Sequence, residues 1–154
     1  MADELLAKAL AAISRKDRTE AEMRAWLAAR EAGPEEIDQV IDYLVENLAL
    51  DDRRFAFGYT SDKRQLAGWG RDRIRENLLR RGIDRYLVEE ALNQSAQGGE
   101  EVETEVDRAV RVLGEKGADL SDDRGRQRAL GLLARRGYDA EEAYAAIRIA
   151  GRAA

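Results

Sequence analysis

Histidine and cysteine are both absent from this chain of 154 residues. Without histidine, the chain lacks the most common general base and the most common metal ligand of proteins. Without cysteine, it has neither disulfides nor thiol chemistry, which fits a reducing compartment. The carboxylates that remain stand mostly at predicted helix starts or on predicted solvated faces. We therefore expect no enzymatic activity, no cofactor and no bound metal.

Long apolar runs are also missing. No segment approaches the length that spans a bilayer, and no signal-peptide pattern opens the chain. These absences predict a cytoplasmic protein without a membrane partner. Aromatic residues make up only 6% of the chain, so the core has to rest on aliphatic side chains.

Strand-type alternation is hard to find, whereas apolar residues recur at helical spacing almost throughout. The single proline, Pro34, precedes two glutamates, at a first helical position that tolerates it. The sequence therefore predicts an all-α fold. Predicted helix caps are Thr19, which opens a capping box, and the acidic residues Asp51, Asp84 and Asp139.

The central stretch from Asp51 to Leu92 reads as three helices. Gly68-Trp69-Gly70 separates the first two, and Gly82 stands where a glycine would end the second. Apolar residues recur at equivalent offsets around Gly137 and around Glu31, and Arg-Arg-Gly-hydrophobic-Asp occurs at both 80–84 and 135–139. This pattern predicts three tandem three-helix repeats, residues 1–49, 50–97 and 101–154, in an elongated, curved array. The polar segment 94–103 is the predicted linker before the third.

Several of these motifs, taken in order, resemble the RecX family. They are Arg18–Met23, Asp52–Ala56 with Tyr59, Gly70–Ile74, Arg81–Ile83 and Leu133–Tyr138. The resemblance implies a regulatory protein of repeated three-helix units that binds the RecA recombinase filament on DNA. It implies inhibition of the ATPase, recombinase and co-protease activities of RecA, and hence a role in homologous recombination, DNA repair and the SOS response. The first repeat departs from the motif, with Arg30-Glu31 in place of Arg-Gly.

Charge is segregated along the chain, although the net charge is −5. Residues 51–82 contain nine basic and five acidic residues, whereas residues 83–107 contain one basic and eight acidic. With an apolar stripe of Ile74 and Leu78 turned inward, helical geometry points Arg73 and Arg80 away from the protein and places Arg75 at the border of the stripe. The candidate partner-binding or DNA-binding residues are Lys63, Arg64, Arg73, Arg75, Arg80, Arg124, Arg128 and Arg135.

An alternative is that these arginines simply form ion pairs with the acidic third helices. Trp69 is open to two interpretations: contact with a partner, or packing over its own turn. The rival functions are a DNA-binding module with helix-turn-helix-like units and a scaffold for another acidic partner. Because the net charge is negative, we expect only weak direct DNA binding, and we expect a monomer.

Overall fold

The computed structural model describes residues 2–94 and 103–153. Within those ranges the chain forms nine α-helices and no strand. This confirms the prediction of an all-α protein. The helices are α1 Ala2–Arg15, α2 Glu20–Ala29, α3 Pro34–Glu46, α4 Asp52–Leu66, α5 Arg71–Arg80, α6 Arg85–Leu92, α7 Glu105–Glu115, α8 Asp123–Arg136 and α9 Ala140–Ala153.

The predicted caps are confirmed. The Thr19 hydroxyl accepts from the Glu22 N–H at 3.1 Å, and Glu22 accepts from the Thr19 N–H at 3.0 Å, which completes the capping box. Asp51, Asp84 and Asp139 accept backbone N–H groups at the starts of α4, α6 and α9. At each of these four helix starts, a side chain close in sequence satisfies otherwise unpaired N–H groups.

Two other predictions have different outcomes. Residues 95–102, most of the predicted linker, lie outside the described residues. Helical spacing predicts Leu66 on the apolar side of α4 with Phe55 and Tyr59, which is wrong: 84% of Leu66 is exposed. Leu66 is the last residue of α4.

The helices divide into two compact units, described here one at a time. Unit 1 contains residues 1–58 and 78–91, and unit 2 contains residues 59–77 and 92–154. In unit 1, α3 packs against α1 and α2 around a core that includes Met23, Leu27 and Leu44. In unit 2, α9 packs against α7 and α8 around a core that includes Val112 and Leu133. This division follows packing, whereas the three predicted repeats follow helix order, and their boundaries remain a prediction.

In unit 1, the Arg-Arg-Gly turn after α5 packs on the start of α2. Gly82 has φ +86°, and a Cβ there would lie 2.4 Å from the Cβ of Ala21. The Thr19 hydroxyl donates to the Arg81 carbonyl oxygen at 2.7 Å, and Asp52 accepts from the Glu20 N–H at 2.9 Å. The turn and the first residue of α4 thus both hold the beginning of α2.

The Arg81 side chain adds a pair of hydrogen bonds to this arrangement. Its Nε and Nη2 each donate to the Glu22 carboxylate at 2.9 Å, while its guanidinium lies 4.4 Å from the Phe55 ring centre. Partial burial opposes ionisation of Glu22, but the Arg81 bonds and the Thr19 N–H outweigh it and hold the Glu22 pKa below its ordinary value. Burial raises the pKa of neighbouring Asp52.

Unit 2 repeats this arrangement with different residues. Gly137, in the second Arg-Arg-Gly turn, has φ +99°, and a Cβ there would lie 2.5 Å from the Arg73 backbone nitrogen. The Gly70 N–H donates to the Arg136 carbonyl oxygen at 2.7 Å, and Glu105 accepts from the Arg71 N–H at 2.8 Å. We call each arrangement a turn–helix joint: an Arg-Arg-Gly turn and an acidic residue that together hold the start of an earlier helix.

Candidate partner-binding surface

Trp69 lies in the short turn between α4 and α5, in unit 2. A Cβ on Gly68 would lie 2.5 Å from Val112 Cγ2, and one on Gly70 would lie 2.5 Å from the Gly137 carbonyl oxygen. The buried Tyr138 hydroxyl donates to the Gly68 carbonyl oxygen at 2.7 Å. Burial raises the pKa of Tyr138 to about 12, so this hydroxyl keeps its proton and remains a donor at neutral pH. The turn therefore holds Trp69 in a defined position.

Two of the candidate residues meet at this indole. The Lys63 ammonium lies 4.6 Å from the Trp69 ring centre and the Arg73 guanidinium lies 4.0 Å from it. Arg73 also donates from Nη1 to the Arg135 carbonyl oxygen at 3.0 Å, and Tyr59 packs edge-on against Trp69 with ring centres 6.3 Å apart. Each cation contact with the ring contributes about 0.5–1 kcal/mol at a partly exposed site. The half-buried indole thus packs within its own unit, and Arg73 is half-buried rather than pointing away from the protein.

A pocket of about 340 Å³ opens beside Trp69. It is lined by Leu66, Ala67, Trp69, Glu115, Lys116 and Arg136. Arg136 Nη1 donates to the Ala67 carbonyl oxygen at 2.6 Å, which fixes the guanidinium at the pocket wall. Glu115 pairs at 3.2 Å with Arg111, which also pairs with Glu103.

Sequence reasoning missed Leu66, Lys116 and Arg136 as candidates. Lys116 and Leu66 lie at helix ends, where periodicity says little about direction. Arg136 belongs to the repeated Arg-Arg-Gly motif, which a structural role in the turn is sufficient to explain. We call the set Lys63, Leu66, Trp69, Arg73, Lys116 and Arg136 the Trp69 surface.

The cations of the Trp69 surface lack carboxylate partners. Within residues 2–94 and 103–153, no ion pair involves Lys63, Arg73, Lys116 or Arg136; the contacts of three of them go to rings and carbonyl oxygens. Other arginines of unit 2 behave differently. Arg71 pairs with Glu142 at 3.0 Å, and Arg111 pairs with Glu103 at 2.9 Å. The Trp69 surface therefore carries uncompensated positive charge.

Helix α8 presents a second group of candidates. Arg124, Arg128 and Arg135 are all exposed, as helical spacing predicts. In the described part of the chain, none of these three side chains forms a hydrogen bond or an ion pair. They can be changed without removing a contact that the fold uses.

The remaining candidates have other surroundings. Arg64 is 19% exposed in its side chain, donates to the Leu92 carbonyl oxygen at 2.8 Å and lies 3.9 Å from Glu105. Burial lowers the pKa of Arg64, and both of these contacts lie within unit 2. Arg75 pairs with Asp72 at 3.0 Å, and Arg80 is exposed at the end of α5. Whether any candidate contacts a partner remains a prediction.

Within the described residues, the features of two other classes of protein are absent. No group of three or more acidic side chains in residues 2–94 and 103–153 is arranged to hold a metal ion. No helix in the same ranges is both long enough and apolar enough to cross a bilayer.

The fold and the surface define an all-α protein with a group of basic side chains that form no ion pair within the described residues. Family models match two three-helix domains: the first three-helix domain of RecX at residues 6–44, and the second at residues 51–92. The chain belongs to the RecX family.

Individual relatives agree with this assignment, and each is named "Regulatory protein RecX". The chain is 33% identical over 112 residues to the protein of Serratia proteamaculans, covering 58% of this chain and 66% of the relative. It is 31% identical over 114 residues to that of Yersinia enterocolitica, covering 60% and 68%. With the protein of Trichlorobacter lovleyi it shares 29% identity over 130 residues, covering 84% of each chain.

A solved structure shares the fold. The crystal structure of RecX from Lactobacillus salivarius superposes with a TM-score of 0.79 at 20% identity, covering 98% of this chain and 97% of that one.

Proposed function

We propose that this chain is a non-enzymatic regulator that binds the RecA recombinase filament on DNA. In this proposal it inhibits the ATPase, recombinase and co-protease activities of the filament, and so modulates homologous recombination, DNA repair and the SOS response. It acts in the cytoplasm, as a monomer. Membership of the RecX family supports the proposal, as does the name "regulatory protein" that its relatives carry.

The single observation that carries the proposal is a set of cations in unit 2 that form no ion pair within the described residues, those of the Trp69 surface and those on α8. A chain with a net charge of −5 has acidic residues to spare, yet the cations around Trp69 and on α8 are not paired with them. Charged groups left available in this way favour an anionic partner and steer its approach. A filament of protein and DNA offers both carboxylates and phosphates.

The direct test is the rate of ATP hydrolysis by RecA on single-stranded DNA, with and without this protein. We expect the wild-type chain to slow hydrolysis in a concentration-dependent manner. If the rate is unchanged at saturating concentration and moderate salt, the proposed function is wrong.

A charge reversal on α8 then asks whether its basic face contributes. Arg124→Glu with Arg128→Glu should weaken inhibition, since repulsion replaces attraction at an interface where charge complementarity contributes several kcal/mol. Thermal unfolding should change little, because exposed charges contribute about 0–1 kcal/mol each. The matched control is Arg148→Glu with Arg152→Glu on α9, two exposed arginines at the same spacing. Equal loss of inhibition in both double variants would point to net charge alone rather than to the α8 face.

The rival function, independent DNA binding, predicts a different pattern. A DNA reader binds naked duplex on its own, with an affinity that falls steeply with salt. We expect only weak binding to naked DNA and much tighter binding to RecA-coated DNA. Fluorescence anisotropy of both complexes in one buffer distinguishes the two, and equal affinities would favour the DNA-binding module.

A further inference from the structure

We propose that the pocket beside Trp69 binds an acidic peptide segment through one apolar side chain flanked by carboxylates. The geometry of unit 2 indicates the kind of partner segment that this pocket would bind. It deepens the proposed function, because it assigns the segment to a partner protein.

The pocket has a largely polar lining, with apolar contact available from Leu66, Ala67 and Trp69. Leu66 is 84% exposed, whereas most aliphatic side chains of this chain are at least half-buried. It lines the pocket together with Ala67 and the half-buried indole of Trp69. A volume of about 340 Å³ accommodates one large aliphatic side chain and its backbone. An aliphatic anchor against Leu66 would remove apolar surface of both side chains from water.

The charge around this pocket selects carboxylates. Lys116 and Arg136 line it, and Lys63 and Arg73 lie against its indole. The one acidic lining residue, Glu115, is already paired with Arg111. An acidic segment would therefore gain attraction from four cations without displacing an existing ion pair.

The same features argue against a nucleic acid as occupant. Base stacking needs an accessible aromatic face, but Lys63 and Arg73 both lie over the Trp69 ring, and Tyr59 abuts it. Leu66 offers neither a hydrogen bond nor an aromatic ring to a base. The cations surround one pocket, whereas a strand of phosphates is contacted along a groove.

Binding of a fluorescein-labelled peptide to the full chain, followed by anisotropy, tests the proposal. The probe is a short peptide with a single leucine between runs of glutamate. Two comparison probes are the same peptide with serine in place of leucine, and an oligothymidylate of similar charge. We expect saturable binding of the leucine peptide, with roughly tenfold weaker binding of the serine peptide.

Variants locate the site. Leu66→Ser should lower the affinity for the leucine peptide about tenfold and leave the affinity for the serine peptide unchanged. Lys116→Glu should lower the affinity for both peptides about three- to tenfold, because one charge of the pocket lining changes sign. The control Arg148→Glu makes the same change in net charge on α9 and should have little effect. Since Leu66 and Lys116 are both exposed, neither variant should lower the melting temperature appreciably.

Three results would overturn the proposal: no saturable peptide binding, equal weakening by Lys116→Glu and Arg148→Glu, or oligothymidylate binding that is tighter and equally sensitive to Leu66→Ser. The outcome is separable from that of the proposed function. If wild-type protein slows RecA but binds no peptide, only the pocket assignment fails. If it binds the peptide but leaves RecA unaffected, the RecA proposal fails and the pocket assignment stands.

Discussion

Replacing Gly137 by alanine should break the turn–helix joint of unit 2. The new Cβ would lie 2.4 Å from the Arg73 Cβ, 2.5 Å from its backbone nitrogen and 3.0 Å from its Cα. Two of these three atoms belong to the backbone, so no rotamer change relieves the overlap. Either the start of α5 or the turn after α8 has to move.

The expected loss of stability in Gly137→Ala comes mainly from backbone strain and overpacking. Gly137 has φ +99°, a region that an L-residue enters at a cost of about 1–2 kcal/mol. Overpacking against a rigid neighbour costs about 1–3 kcal/mol more. Movement also stretches the hydrogen bond from the Gly70 N–H to the Arg136 carbonyl oxygen, now 2.7 Å. A total of about 2–5 kcal/mol corresponds to a melting temperature lowered by roughly 5–15 °C in a chain of this size.

Thermal and urea unfolding, followed by far-ultraviolet circular dichroism, measure the effect. The control is Gly58→Ala, within α4, where a Cβ meets no atom within 4 Å. It should raise stability by about 0.5–1 kcal/mol, because alanine is the better helix former. If Gly137→Ala melts within about 2 °C of wild type, smaller than the shift expected from backbone strain alone, the joint does not stabilise the fold as argued.

The corresponding joint of unit 1 supplies a rescue experiment. Gly82→Ala would bring its Cβ within 2.4 Å of the Cβ of Ala21, but no closer than 3.8 Å to the Ala21 Cα. Its overlap with the neighbour is therefore with a methyl group alone, and Ala21→Gly should recover part of the lost stability. A double variant no more stable than Gly82→Ala would show that this contact is not the cause.

Two further predictions concern unit 1. Glu31 has φ +63° after the end of α2, whereas the positive-φ positions that end α5 and α8 are the glycines Gly82 and Gly137. Glu31→Gly should therefore stabilise the fold by about 0.5–1 kcal/mol in urea unfolding, and a loss of stability would contradict the strain argument. Because the pKa of Glu22 is lowered in the folded protein, the ionised carboxylate contributes to stability at pH values above its ordinary pKa of 4.5. That contribution is lost as the pH falls through the lower pKa of the folded state. Glu22→Gln should therefore lower the free energy of unfolding by about 1 kcal/mol at pH 7, and the difference in stability from wild type should shrink as the pH is lowered. A difference that is constant with pH would remove Glu22 ionisation as its source.

Local chemistry explains why much of the fold was predictable. A helix start needs a side chain that accepts exposed N–H groups, and Thr19, Asp51, Asp84 and Asp139 stand at the required positions in the sequence. Gly82 ends its helix with a positive φ, which a glycine adopts without strain. The buried set of Ile74 and Leu78 likewise follows from spacing alone. Each of these features depends on residues within a few positions of one another.

The surroundings of the basic residues depended on the tertiary structure. The periodicity that predicts a buried Ile74 could not show that Arg73 donates to the Arg135 carbonyl oxygen, because these residues lie 62 positions apart. For the same reason the sequence suggests Arg64 as a partner-binding candidate, although its guanidinium contacts the Leu92 carbonyl oxygen and the Glu105 carboxylate. Sequence determined which residues are charged and which helix carries them. Only the packing of distant segments decided which charges are neutralised within the fold and which remain available to a partner.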